Sequence, residues 1–125
     1  MILGTGIDLV DIRRIEKIIA VHGQRFLKKV FSEGEIAYCA GHADSARHFA
    51  GRWAAKEAFF KALPASCQPL FTFTSVQVLS SGHRRPVLSV VNESLLKQLV
   101  FEGMTKVHVS ISHERDFCIC SVILE

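Results

Sequence analysis

The stretch from Asp44 to Leu63 limits the architecture more than any other segment. It carries Ala46, Phe49, Ala50, Trp53, Ala54, Ala55, Ala58, Phe59, Phe60, Ala62 and Leu63, and Pro64 ends it. A helix that is apolar around nearly its whole circumference has no face to give to water, so other elements must enclose it. With 125 residues the chain has enough material to do this as a single domain, residues 1–125, without disulfides or a structural metal.

The rest of the sequence supplies the enclosing elements. Ile2–Val10 reads as a strand, and Asp11–Val21 as a helix with an Ile12, Ile15, Ile18, Ile19 stripe and Asp11 at its start. Gln24–Val30 reads as a short helical turn. Ser32-Glu33-Gly34-Glu35 has the spacing of a capping box and opens a helix to about Ala40. After the long helix, Phe71–Leu79 alternates as a strand, Ser80-Ser81-Gly82 turns, and Pro86–Val91 is the next strand. Asn92 caps a helix to about Phe101, closed by Gly103. Lys106–Ser112 and Phe117–Leu124 form a hairpin about Glu114–Asp116. The expected class is α+β, with a mainly antiparallel sheet and a long buried helix.

Several function classes fall away. No apolar run approaches the ~20 residues a bilayer requires. No basic region precedes the apolar N-terminal stretch, so a signal peptide is not expected. Cys39, Cys67, Cys118 and Cys120 form no C-x-x-C, and they read as small buried hydrophobes in a reducing cytoplasm. The net charge of +3 is too mild for nucleic-acid binding. The distribution is more informative: Arg13, Arg14, Lys17, Arg25, Lys28 and Lys29 face only Glu16 in their segment. That patch is either a solvated helix face or a surface that steers an acidic partner.

Three positions are out of keeping with a purely structural role. Asp8 lies in a strand on the face of Gly4, Gly6 and Val10, where a carboxylate is disfavoured and two glycines leave room for a close-approaching group. It is either a helix cap or a ligand for a cation. Glu57 sits within about 60° of Ala46, Ala50, Trp53, Ala54 and Phe60 on the helical wheel, with Lys61 four residues on. The pair is either an intrahelical ion pair or a metal carboxylate with a lysine for phosphate. Two carboxylates in apolar settings suit Mg²⁺, a hard cation that shares itself with substrate phosphates. His113, at the end of His108-Val109-Ser110-Ile111-Ser112-His113, is either a surface histidine or a base or phosphate contact.

Taken together, Gly6–Ile15 (GIDLVDIRRI), Phe49–Ala62 (FAGRWAAKEAFFKA) and His108–His113 (HVSISH) closely resemble the three signature blocks of the acyl-carrier-protein synthase family, and the intervening lengths also fit. The resemblance implies a phosphopantetheinyl transferase fold and a small cytoplasmic homotrimer with active sites between subunits. It implies transfer of 4′-phosphopantetheine from coenzyme A to a serine of apo-acyl carrier protein, in support of fatty acid biosynthesis. It further implies that Asp8 and Glu57 hold Mg²⁺, that Lys61 and His113 lie near the diphosphate, and that Arg52 and Lys56 lie near coenzyme A. Arg14 matches a carrier-protein contact, which Arg13, Lys17 and Arg25 extend. The general base stays open among Glu57, His113 and a water.

Two departures from the family pattern stand out. A glycine-rich loop is replaced by Leu63-Pro64-Ala65-Ser66, and Gly-Lys-Pro by Arg84-Arg85-Pro86, which puts Arg85 forward as the 3′-phosphate contact. The competing readings are a non-catalytic coenzyme-A-binding module and an RNA-binding domain. The only Trp and Tyr, Trp53 and Tyr38, show no interleaving with basic residues that would favour the latter.

Overall fold

A computed structural model describes residues 1–125. The elements are β1 (Gly4–Asp11), α1 (Ile12–His22), α2 (Gln24–Val30), α3 (Glu33–Ala40), α4 (Ser45–Ala62), β2 (Val76–Ser80), β3 (Pro86–Val90), α5 (Glu93–Phe101), β4 (Val107–Glu114) and β5 (Phe117–Leu124). A three-stranded sheet has the order β1-β5-β4, and β2 and β3 form a separate hairpin. All pairings are antiparallel, as the α+β reading expected.

The caps form where their residue types place them. Asp11 accepts from the Arg13 amide at 2.9 Å, Ser32 and Glu35 form the reciprocal box, and Asn92 accepts from the Leu95 amide at 2.9 Å. Asp44 occupies the N-cap of α4 without capping it, because its carboxylate goes to His48 Nε2 at 3.2 Å instead. Gln24–Val30 is a helix of 7 residues rather than a single turn.

One strand starts late. Phe71 and Thr72 are extended, but Phe73–Ser75 is not, because Thr72 N donates to Ser75 Oγ at 2.9 Å and Ser75 N to Thr72 O at 2.9 Å, closing a 3₁₀ turn. The turn lets Phe71 pack on Phe59 and Phe60, and stacks Phe73 on Trp53 with centroids 4.9 Å apart.

Helix α4 lies across the inner face of the three-stranded sheet. Gly4 and Gly6 make this close approach possible: a Cβ on Gly4 would run into the Ala62 carbonyl oxygen, and one on Gly6 into that of Ala58. The group for which the glycines leave room is therefore the helix backbone itself. Cys118, Cys120, Val122 and Leu124 of β5 complete the inner face, all buried. Burial raises the Cys118 thiol to about 11 and the Cys39 and Cys120 thiols to about 12, so they pack as protonated hydrophobes.

The buried helix also carries a cation. Lys56 is fully buried and its ammonium has three acceptors: Val30 O at 2.6 Å, Glu35 Oε1 at 2.7 Å and Phe73 O at 2.8 Å. Glu35, equally buried, also accepts from Ser32 N and Val78 N. All three ammonium hydrogens are committed, so Lys56 is not free to touch coenzyme A, contrary to the expectation from sequence. It joins the end of α2, helix α3, the 3₁₀ turn and β2 to α4.

Candidate active site

Strand β1 and helix α4 run in opposite directions, and their repeats nearly match. Two strand residues advance about 6.7 Å and four helix residues about 6 Å. Gly4 lies against Ala62 and Gly6 against Ala58, so Asp8 comes level with the preceding turn of the helix. Helical side chains lean toward the N-terminus, which carries Lys61 back over that turn. Its ammonium donates to Asp8 Oδ1 at 3.0 Å and to Ile7 O at 3.0 Å. The intrahelical Glu57–Lys61 ion pair does not form; the lysine spans to the strand instead.

Glu57 is half-buried beside this pair. Burial, and then the negative charge of Asp8, push its carboxyl above the usual carboxylate range, while Lys61 and Arg14 pull the other way. Asp8, Glu57, Lys61 and Arg14 therefore share one electrostatic neighbourhood. Arg13 is exposed and bound bidentately by Asp11 at 2.8 and 3.0 Å. Arg14 and Lys17 are exposed, and Arg25 lines a shallow basic depression of ≈ 330 Å³ with His22, Phe26 and Lys29.

Arg52 and His113 belong elsewhere. They line a cleft of ≈ 850 Å³ with Tyr38, His42, His48 and Arg84, which neither Asp8, Glu57 nor Lys61 lines. Five helical residues separate Arg52 from Glu57, which turns them about 140° apart on α4. His113 is an internal residue of β4 rather than an entry to the turn, because the strand continues to Glu114. Its ring seats on Gly51, where an added Cβ would come within 3.2 Å of Nε2. Burial and then the charge of Arg47 hold His113 below the usual imidazole range. Buried Arg52 Nε and His113 Nε2 both lack hydrogen-bond partners.

Arg85 lines a different groove, with Pro86, Leu88 and His108, and Arg84 takes the cleft position instead. Arg84 has φ 59°, and its amide closes a turn onto Ser81 O at 2.9 Å. This left-handed conformation sets the alternation of neighbouring side chains, which a sequence reading of Arg84-Arg85-Pro86 does not contain. The segment replacing the glycine-rich loop is held closed: Pro64 O accepts from Cys67 N at 2.9 Å, and Ser66 Oγ donates to Glu102.

Residues 4–121 match the 4′-phosphopantetheinyl transferase superfamily. The chain belongs to that superfamily. It is 46% identical over 125 residues to the holo-[acyl-carrier-protein] synthase of Syntrophus aciditrophicus, covering 100% of this chain and 97% of that one. It is 39% identical over 127 residues to the holo-[acyl-carrier-protein] synthase of Geobacter metallireducens, covering 100% and 98%. Among solved structures, the synthase of Neisseria meningitidis superposes with a TM-score of 0.86 at 26% identity, covering 100% of this chain and 99% of that one. The Helicobacter pylori synthase in complex with coenzyme A superposes at 0.81 with 26% identity, covering 97% and 99%. The superfamily fold therefore accounts for both sheets and for the enclosed helix.

Tyr38, His42, His48 and Arg84 were not picked out by the sequence reading. Tyr38, His42 and His48 straddle the break between α3 and α4, so no periodic pattern links them.

Proposed function

We propose that this chain transfers the 4′-phosphopantetheine arm of coenzyme A to a serine of an apo-acyl carrier protein, releasing adenosine 3′,5′-bisphosphate and supplying fatty acid biosynthesis in the cytoplasm. The observation that carries this reading is the meeting of Asp8, Glu57 and Lys61 across the β1–α4 contact, in a chain similar along its whole length to holo-[acyl-carrier-protein] synthases.

The donor set fits Mg²⁺. Burial, and then the charge of Asp8, make ionisation of Glu57 harder, and a cation between the two carboxylates would relieve both. Both offer hard oxygen ligands, and so few protein ligands leave positions for diphosphate oxygens. Bound there, Mg²⁺ would neutralise charge on the diphosphate and on the departing bisphosphate. Asp8 and Glu57 would hold it. Lys61, whose ammonium lies on Asp8, would offer its charge to the same phosphates. Phosphoryl-type transfer rests mainly on positioning and charge stabilisation, which these fixed groups supply. Glu57 and His113 are this chain's candidates to accept the serine proton.

Two features support assembly of several copies, which the family resemblance puts at three. The basic cleft of Arg52, Arg84 and His113 is separate from the carboxylate pair within one chain, so a neighbouring copy would bring the two together. The outer sheet face presents Ile7 and Leu9, 58% and 64% exposed, beside Phe117 and Ile119, a surface suited to burial between copies. No helix is long and apolar enough to cross a membrane.

Mass spectrometry of an apo carrier protein incubated with coenzyme A and Mg²⁺ tests the reaction: a gain of about 340 Da on one serine is expected, lost on chelation. An unmodified carrier protein alongside intact bound coenzyme A would leave a binding module. For docking, Arg14→Ala is expected to raise the carrier-protein KM about fivefold while the coenzyme A KM changes little. Equal rises in both would remove Arg14 from the carrier surface.

A further inference from the structure

The cleft beside α4 encloses a cation that no carboxylate pairs. Arg52 is only 6% exposed, its Nε has no partner, and its one hydrogen bond is a long 3.5 Å contact to His48 O. Its guanidinium lies over the Tyr38 ring, 4.4 Å from the centroid. The cleft's carboxylate, Asp44, pairs with His48. A guanidinium this enclosed is costly until an anion joins it.

Beside Arg52 the rings of Tyr38, His42 and His48 form a single cluster, tilted or edge-on to one another. The two imidazole centroids are 4.1 Å apart, and Tyr38 lies 4.7 Å from His42 and 5.7 Å from His48. His42 Nδ1 sits 2.7 Å from Tyr38 O, so it donates there. His48 Nε2 sits 3.2 Å from Asp44 Oδ1 and carries the hydrogen of the neutral ring, which leaves Nδ1 to take a second proton.

We propose that His48 is a phosphate-binding residue that takes up a proton as the ligand arrives, so that affinity for a phosphate-bearing ligand rises as pH falls. This rests on the reading that the cleft receives a phosphate of coenzyme A. The groups facing His48 come from every wall: Asp44 and Arg52 from the cap and body of its own helix, Tyr38 and His42 from the α3 end, His113 (itself influenced by Arg47) from β4, and Arg84 from the β2–β3 turn. Asp44 alone favours its protonation. Burial, then His42, and more weakly Arg52 hold the free ring below the usual imidazole range, so it is neutral at pH 7. A phosphate at Arg52 reverses that balance and raises the bound-state value. Proton uptake occurs between the free and bound values, and affinity falls as pH climbs through that window. A new unit charge a few ångströms from a phosphate in a partly buried site is worth on the order of tenfold in affinity.

The test is calorimetric titration of the full-length protein with adenosine 3′,5′-bisphosphate and Mg²⁺, in two buffers of different ionisation enthalpy. The ligand's own phosphate contributes alike to every variant, so differences isolate the ring. At about pH 7 the wild type is expected to take up about half a proton more per site than His48→Phe, which keeps an aromatic ring in the cluster. Between about pH 6 and about pH 8 its affinity is expected to fall roughly tenfold further than the variant's. His48→Gln is expected to behave like His48→Phe, and serves if the latter does not fold. Identical uptake and pH profiles in wild type and variants overturn the proposal. Arg52→Gln separates the two levels: if it binds as tightly as wild type, the cleft is not the phosphate site and the underlying reading fails. If it binds weakly while His48→Phe keeps the wild-type profile, only the role of His48 fails.

Discussion

Asp8→Asn is expected to lower the transfer rate at saturating coenzyme A by about a thousandfold or more, while the folded chain survives. Loss of a single preorganised electrostatic group commonly costs 10²–10³ in turnover, and under the proposed function Asp8 is also one of the two acids that would hold the cation. The amide keeps the volume of the carboxylate, and its oxygen can still accept from Lys61, now 3.0 Å from Asp8 Oδ1. With the neighbouring charge gone, Glu57 loses one of the two influences that raise its carboxyl. Its ionisation should therefore fall toward the ordinary carboxylate range, readable by carbon-13 NMR titration. Turnover within tenfold of wild type, by the carrier-protein mass assay, would take Asp8 out of the reaction.

The second large effect is structural. Lys56→Met fills the same space with an apolar chain but leaves the Glu35 carboxylate buried without its cation. Breaking one side of a buried pair costs about 3–5 kcal/mol. For a domain of 125 residues that corresponds to a melting temperature roughly 10–20 °C lower. The double variant Lys56→Met/Glu35→Gln should recover about 1–2 kcal/mol, because a neutral amide no longer strands a charge while its oxygen still accepts one of the amides that Glu35 binds. Calorimetric melting of the four proteins of this cycle checks both figures. A single variant as stable as wild type would show that Lys56 is a passenger in the core.

Local chemistry made much of the fold legible. The Ser32–Glu35 box, the Asn92 cap and the β4–β5 hairpin form where short-range rules place them, and the all-round apolar helix is enclosed as it must be. Phe71–Ser75 misled because alternation there coincides with two hydroxyl residues that prefer to bond their own backbone. Lys56 misled for a different reason. A charged residue beside Glu57 in a signature block suggests ligand contact, and nothing local reveals that its partner, Glu35, waits 21 residues upstream. The substitution of Arg84 for Arg85 in the cleft turns on one positive φ, which a string of letters does not show. The Asp8–Glu57 neighbourhood was legible as two misplaced acids; their convergence needed the strand–helix registration.

That registration has a further meaning. At Gly4 and Gly6 nothing stands between strand and helix but main chain against main chain. Side chains elsewhere in the core can swap rotamers or be exchanged for neighbours of similar bulk, and layers drift by fractions of an ångström when they do. Here the spacing between the two backbones that carry Asp8 and Glu57 is set by main-chain contact alone. The footing of the two acids is thereby machined by peptide geometry, insulated from the repacking that the surrounding hydrophobic residues can undergo.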